Sequence, residues 1–252
     1  MAADDVIDLN TFILEKLPPT IYYIPEFITE EEEKALWKSV YDAPKPKWTR
    51  LLNRRLQNWG GLPHPKGMIA EKMPQWLGTY CDKIALLGVF QDKTPNHVLV
   101  NEYLPGQGIM PHTDGPLYYP VVSNITLGSH SVLDFYHSIS SDADNISSTG
   151  DTMAEGHQVE KKEDGNREIS LEERYIGSVL LEPRSLVLTM NDMYENYLHG
   201  IADVKKDQIN EKMANLHLTS AVQGEEKDRN TRISLTIRFV PKVLKTKIKL
   251  GR

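Results

Sequence analysis

Polar and apolar positions alternate with period two along Thr231–Val240, placing Arg232, Ser234, Thr236 and Arg238 on one face and Ile233, Leu235, Ile237 and Phe239 on the other. The same short, β-branched, turn-bounded character marks IYYIPEF (21–27), HVLVNEY (97–103), VVSNITLG (121–128), SVLDFYH (131–137), SVLLEP (178–183) and SLVLTMN (185–191). Each is predicted as a strand. Thr29 with Glu32 three positions later is a capping-box pattern that launches a helix over Glu31–Val40, and a second helix is expected over Trp76–Leu87. Short strands at this spacing suggest a sandwich or jelly roll, a mostly β (α+β) fold with its helices backing one sheet. No internal repeat is evident.

Two stretches depart from that pattern. Residues 138–176 hold ten acidic and four basic side chains among Ser, Asp and Gly. They offer too little apolar surface to offset the entropy of ordering, so an acidic disordered insertion is expected there. Over residues 42–75, seven basic side chains (Lys45, Lys47, Arg50, Arg54, Arg55, Lys66, Lys72) face only Asp42 and Glu71, interleaved with Trp48 and Trp59. Cations of this kind contact phosphates and such rings stack on unpaired bases, which suits a nucleic-acid contact. A solvated loop with its tryptophans turned inward has the same composition. The formal charge of −6 comes from the acidic stretch and masks this basic one. Residues 241–252 form a basic tail expected to aid solubility.

With 252 residues, 40% of them apolar, the chain can bury one large core, so residues 1–252 are expected to form a single domain. The lone cysteine, Cys81, excludes an internal disulfide, reads as a small buried hydrophobe, and points to a reducing compartment, nucleus or cytoplasm. No disulfide-linked partner is expected. The acidic N-terminus is unlike a signal peptide, and no apolar run approaches the ~18 residues of a membrane span.

The chemistry concentrates at His112-Thr113-Asp114. On a strand, residues i and i+2 share a face, so this pair can grip one metal ion, though His-x-Asp alone more often makes a local hydrogen bond. A further histidine, His199, following the strand SLVLTMN and preceding Gly200, where the chain can turn, would complete two histidines and a carboxylate on one face of an octahedron. Non-haem Fe(II) oxygenases use that arrangement, which leaves positions open for a co-substrate and dioxygen. Alanine at any of the three removes a ligand but little core volume, so the fold is expected to survive. The arginine face of the last strand is either a solvated outer face or the seat of an anion, since a guanidinium fork matches a carboxylate. Arg232 and Arg238 lie about 20 Å apart along the strand, at ~3.3 Å per residue, and must differ in role. His64, His97, His130, His137, His157 and His217 are expected to be structural or exposed.

Asn101-x-Tyr103, His112-x-Asp114, His199 and Arg232-x5-Arg238, in that order, resemble the AlkB family of Fe(II)- and 2-oxoglutarate-dependent dioxygenases. The stretches NEYLPGQGIMPHTDGPLYYP and RISLTIRFVP are most similar to its AlkB homolog 6 branch. The resemblance implies a double-stranded β-helix core. It also implies that His112, Asp114 and His199 ligate Fe(II), that Asn101 and Tyr103 hydrogen-bond 2-oxoglutarate, and that Arg232 pairs with its distal carboxylate. Arg238 would lie nearer the metal. Ser234 stands where many relatives have asparagine and can still donate to a carboxylate. Thirty-two residues separate His199 from Arg232, longer than in compact relatives, and read as a surface excursion. In the family the segment ahead of the barrel is a lid that recognises the nucleotide, which places residues 42–75 over the iron with Arg54, Arg55 and Trp59 as substrate contacts. Of Tyr118 and Tyr119, one is expected to touch substrate. The implied reaction is oxidative demethylation of single-stranded or base-flipped DNA or RNA. A protein or small-molecule hydroxylase on the same iron core, or a nucleic-acid binding module without turnover, are the alternatives.

Overall fold

The computed structural model describes residues 7–138 and 169–244. Most of the expected acidic insertion and the basic tail beyond Leu244 lie outside the described residues. In chain order the strands are β1 (Ile21–Ile24), β2 (Thr49–Arg50), β3 (Arg55–Trp59), β4 (Gly61–Leu62), β5 (Met68–Ala70), β6 (His97–Tyr103), β7 (Ile109–His112) and β8 (Val121–Gly128). They continue with β9 (Ser131–His137), β10 (Tyr175–Leu181), β11 (Leu186–Met190), β12 (Tyr197–Ile201), β13 (Lys206–Gln208), β14 (Glu226–Asp228), β15 (Arg232–Arg238) and β16 (Val243–Leu244). Helix α1 spans Glu30–Tyr41 and α2 spans Gln75–Ala85. The capping box forms as expected: Glu32 N–H donates to Thr29 Oγ1 at 3.1 Å while Thr29 N–H donates to the Glu32 carboxylate at 2.7 Å.

Seven strands make one sheet in the order β1-β11-β8-β15-β6-β3-β2, and four make a second in the order β10-β9-β12-β7. Two apolar layers result. Val98, Val100, Ile125, Leu127, Ile233, Leu235 and Ile237 leave the outer face of the large sheet and pack under Leu36 and Val40 of α1 and Leu77, Cys81 and Ile84 of α2. Tyr23, Val187, Leu133, Phe135, Val179 and Leu181 fill the space between the two sheets. This is the jelly-roll core the strand pattern predicts. Every residue of β15 is buried, so its alternation does not separate solvent from core. It separates a helix-covered outer face from the inner face between the sheets, and the arginines are on the inner one.

Several sequence expectations shift. The strand expected from Ser178 begins at Tyr175, so the described end of the acidic stretch is a turn leading into a strand. Segment 42–75 is mostly sheet: β2 and β3 extend the large sheet beyond β6, and β5 pairs with β4 on one side and β16 on the other. Only its turn at residues 51–54, closed by Leu51 N–H donating to Arg54 C=O at 2.8 Å, reaches the inter-sheet space. Strands β7 and β12 were not apparent from the hydropathy pattern. Gly200 serves close approach there rather than a turn: a Cβ at this position would lie 2.9 Å from Pro111 N on the neighbouring strand.

Candidate metal and co-substrate site

β7 and β12 run antiparallel with His112 directly opposite His199, and the two rings sit 4.5 Å apart between centroids. β7 ends at His112, so Asp114 reaches the same point from the loop beyond the strand rather than from a shared strand face. One nitrogen or oxygen from each of His112, Asp114 and His199 lies within 4.8 Å of the others. Each is prepared to act as a ligand. His112 Nδ1 is 2.8 Å from the Met110 carbonyl, so this nitrogen carries the proton and donates, leaving Nε2 with a free lone pair. Desolvation pushes the His199 pKa down to about 4, which keeps that imidazole neutral. Asp114 Oδ1 accepts from Arg238 Nη2 at 2.7 Å, while Oδ2 is buried and without a hydrogen-bond partner. A buried carboxylate oxygen left bare is costly, and a cation would satisfy it.

The inner face of the large sheet forms the opposite wall of a cavity of about 90 Å³, lined by Asn101, Tyr103, Arg232, Ser234 and Arg238 together with Leu133, Val187 and Ile201. This holds several waters or one small organic molecule. Arg232 is 2% exposed and donates through Nη2 to Thr126 Oγ1 at 3.0 Å, but its Nε and Nη1 have no partner. Burial pulls its pKa down to about 10, the mark of a cation that lacks an anion. Tyr103, paired across from Arg232, has its phenol pKa raised by burial and stays a donor. The Ser234 hydroxyl proton is committed to Asn124 Oδ1 at 2.8 Å.

Asn124 and Thr126, which position Ser234 and Arg232, went unnoticed in the sequence. The available signal was the run of polar positions Ser123, Asn124 and Thr126 inside an otherwise apolar strand. The Arg238 guanidinium, paired with Asp114, lies over the Tyr118 ring, 4.5 Å from the ring centroid. Tyr119 packs against Phe90 with Lys93 over its ring, among the residues beneath the helices.

The basic segment divides. Arg54 lines the same cavity as His112, Asp114 and His199 and donates through Nε to Asn101 Oδ1 at 3.1 Å. Arg55 forms a two-point ion pair with Glu102, at 2.6 and 2.7 Å, and stacks over Trp48. Trp59 meets Trp76 edge-on and donates Nε1 to Gln57, with Lys47 over its face. The groups of Arg55 and Trp59 expected to meet substrate are thus engaged inside the protein. Lys45, Arg50, Lys66 and Lys72 are exposed and have no acidic partner among the described residues. Beside His112, a groove opens to solvent between Leu51, Leu52 and Asn53 on one side and Met110 and Pro111 on the other.

The profile of the 2OG-Fe(II) oxygenase superfamily matches residues 43–238. A Danio rerio protein named Probable RNA/DNA demethylase ALKBH6 is 50% identical over 247 residues, covering 98% of this chain and 97% of its own. Uncharacterized protein L905 of Acanthamoeba polyphaga mimivirus is 27% identical over 90% of this chain and 86% of its own. The solved structure of OsALKBH1 aligns with a TM-score of 0.51 at 13% identity, over 88% of this chain and 99% of that one, a likeness of fold. With the superfamily profile matching most of its length and a half-identical relative nearly all of it, the chain belongs to the 2OG-Fe(II) oxygenase superfamily, within its AlkB-like branch.

Proposed function

We propose that this dioxygenase removes N-methyl groups from nucleic acid presented single-stranded or with the target base flipped out. The half-identical zebrafish relative, whose name reads Probable RNA/DNA demethylase, carries this reading. Four exposed cations without acidic partners among the described residues, Lys45, Arg50, Lys66 and Lys72, support it as phosphate contacts on the segment that also carries the turn beside the cavity. Such a substrate would be met in the nucleus or cytoplasm.

Bound together, ferrous ion and 2-oxoglutarate supply the oxidising chemistry: with dioxygen they give succinate and carbon dioxide and hydroxylate a methyl group, which leaves as formaldehyde. The protein's part is placement. His112 Nε2, His199 and the bare Asp114 Oδ2 fit a divalent cation, and Arg238 holds Asp114 in position. Arg232 would take the distal carboxylate, with the Tyr103 hydroxyl and the Asn101 amide as hydrogen-bond partners. Leu133, Val187 and Ile201 exclude water from the same space. The methylated base would enter by the groove beside His112, between Leu52 and Met110.

Succinate release across methylated single-stranded DNA, methylated RNA and methylated peptides tests the substrate class. The expected result is stimulation with stoichiometric formaldehyde by an oligonucleotide. Charge reversal at Lys45, Arg50, Lys66 and Lys72 should lower the log-log salt slope of oligonucleotide binding by roughly one unit per lost contact, leaving co-substrate affinity unchanged. Stimulation by peptides alone, with an unaltered salt slope, would favour the protein hydroxylase.

A further inference from the structure

The cavity carries more positive charge than the residues aligned with the family's motifs account for. Three guanidinium groups, those of Arg54, Arg232 and Arg238, line it against one carboxylate, Asp114. Arg238 takes that carboxylate. Arg54 and Arg232 have no acidic partner among the described residues, and Arg54 is held only by the neutral Oδ1 of Asn101. For Arg232, whose Nε and Nη1 are buried without partners, this is unfavourable unless a ligand brings an anion, and the half-buried Arg54 lines the same space.

We propose that Arg54 is a binding residue for 2-oxoglutarate, reaching its distal carboxylate from the β2–β3 hairpin and thereby tying that hairpin to the loaded state. The register argues for the distal end. Asn101, which anchors Arg54, pairs opposite Ser234, and its neighbour on the same face, Tyr103, pairs opposite Arg232. Arg238 pairs opposite His97 at the other end of β6, toward Asp114. Arg54 therefore lies toward the Arg232 end of the wall. With Nε on Asn101, its remaining N–H groups have no acceptor among the described residues and are left for the diacid.

The hairpin gives this contact a consequence. Its turn, Leu51 to Asn53, forms one side of the groove beside His112, and Leu52 at its tip is 94% exposed. The tip is tethered to the body by Asn53 Nδ2 donating to Asp203 Oδ2 at 3.0 Å. A diacid bound by Arg54 adds a charged anchor one residue from Asn53, so filling the cavity fixes the wall against which substrate sits. Co-substrate binding thereby completes the substrate groove. This inference rests on the superfamily's use of 2-oxoglutarate and not on the identity of the methylated substrate, so the two can fail separately.

The test uses full-length protein loaded anaerobically with Fe(II), without substrate. By calorimetry, Arg54→Met should weaken 2-oxoglutarate binding about tenfold, as for loss of one charge-assisted contact. Binding of 2-oxobutyrate, which keeps the 2-oxo acid head and lacks the distal carboxylate, should change less than about twofold. Arg54→Lys should recover part of the loss, which a packing defect would not allow. In the wild type, amide exchange over Thr49–Trp59 should slow when 2-oxoglutarate is added. In Arg54→Met at saturating co-substrate it should not. Wild-type affinity for 2-oxoglutarate in Arg54→Met, or equal losses for both acids, overturns the contact; hairpin exchange indifferent to co-substrate in the wild type overturns the coupling.

Discussion

Replacing Arg232 with methionine should weaken 2-oxoglutarate binding thirty-fold or more and leave the unliganded protein as stable as wild type or more so. The two effects share one cause. The guanidinium is 2% exposed, with two nitrogens unpartnered and its pKa pulled down to about 10 by burial. Without a bound diacid it is a buried charge lacking an anion, and an apolar side chain of similar length removes that penalty. With the diacid bound, its loss strands a carboxylate in a desolvated site, which costs on the order of 2 to 5 kcal/mol. Lysine should rescue poorly, because an ammonium cannot reproduce the fork. Calorimetry and urea melts of the same sample read both halves. Normal affinity, or a destabilised unliganded protein, would mean that Arg232 is a structural cation.

Asp114→Ala should abolish metal binding and turnover, and it should also destabilise the fold, contrary to the expectation from side-chain volume alone. The Asp114 and Arg238 side chains are 5% and 8% exposed and paired at 2.7 Å. Removing one member of such a pair leaves the other charge buried and typically costs about 3 to 5 kcal/mol. The double variant Asp114→Ala with Arg238→Met should therefore recover most of the lost stability while remaining unable to bind metal. If the single variant melts like the wild type, the pair contributes nothing to folding and the cost assigned here is wrong.

The strands easiest to find in the sequence are those whose alternation records a wall with two chemistries. β15 reads Arg-Ile-Ser-Leu-Thr-Ile-Arg because its apolar positions meet helices α1 and α2 and its polar ones face the cavity. β7 and β12 carry no such record. IMPH and YLHGI are short, and their pairing depends on Gly200 admitting Pro111, a tertiary contact that no local pattern announces. The direct opposition of His112 and His199 was invisible for the same reason. Charge counting failed differently: it recognised that residues 42–75 are basic but could not know that Glu102, on β6, takes Arg55 or that Arg54 turns inward to Asn101. Partners decide what a charge does, and these partners are distant in sequence.

His112, Asp114 and His199 are expected to hold one divalent metal ion, and co-substrate binding is expected to depend on it. Equilibrium dialysis of the full-length protein against Fe(II) under anaerobic conditions, followed by calorimetric titration with 2-oxoglutarate, reads both. The wild-type chain should take up one ion and bind co-substrate strongly only after metal is added, both lost in His112→Ala and His199→Ala variants that melt as folded proteins. One ion per chain retained with both histidines replaced, or undiminished 2-oxoglutarate binding without metal, would contradict this metal site.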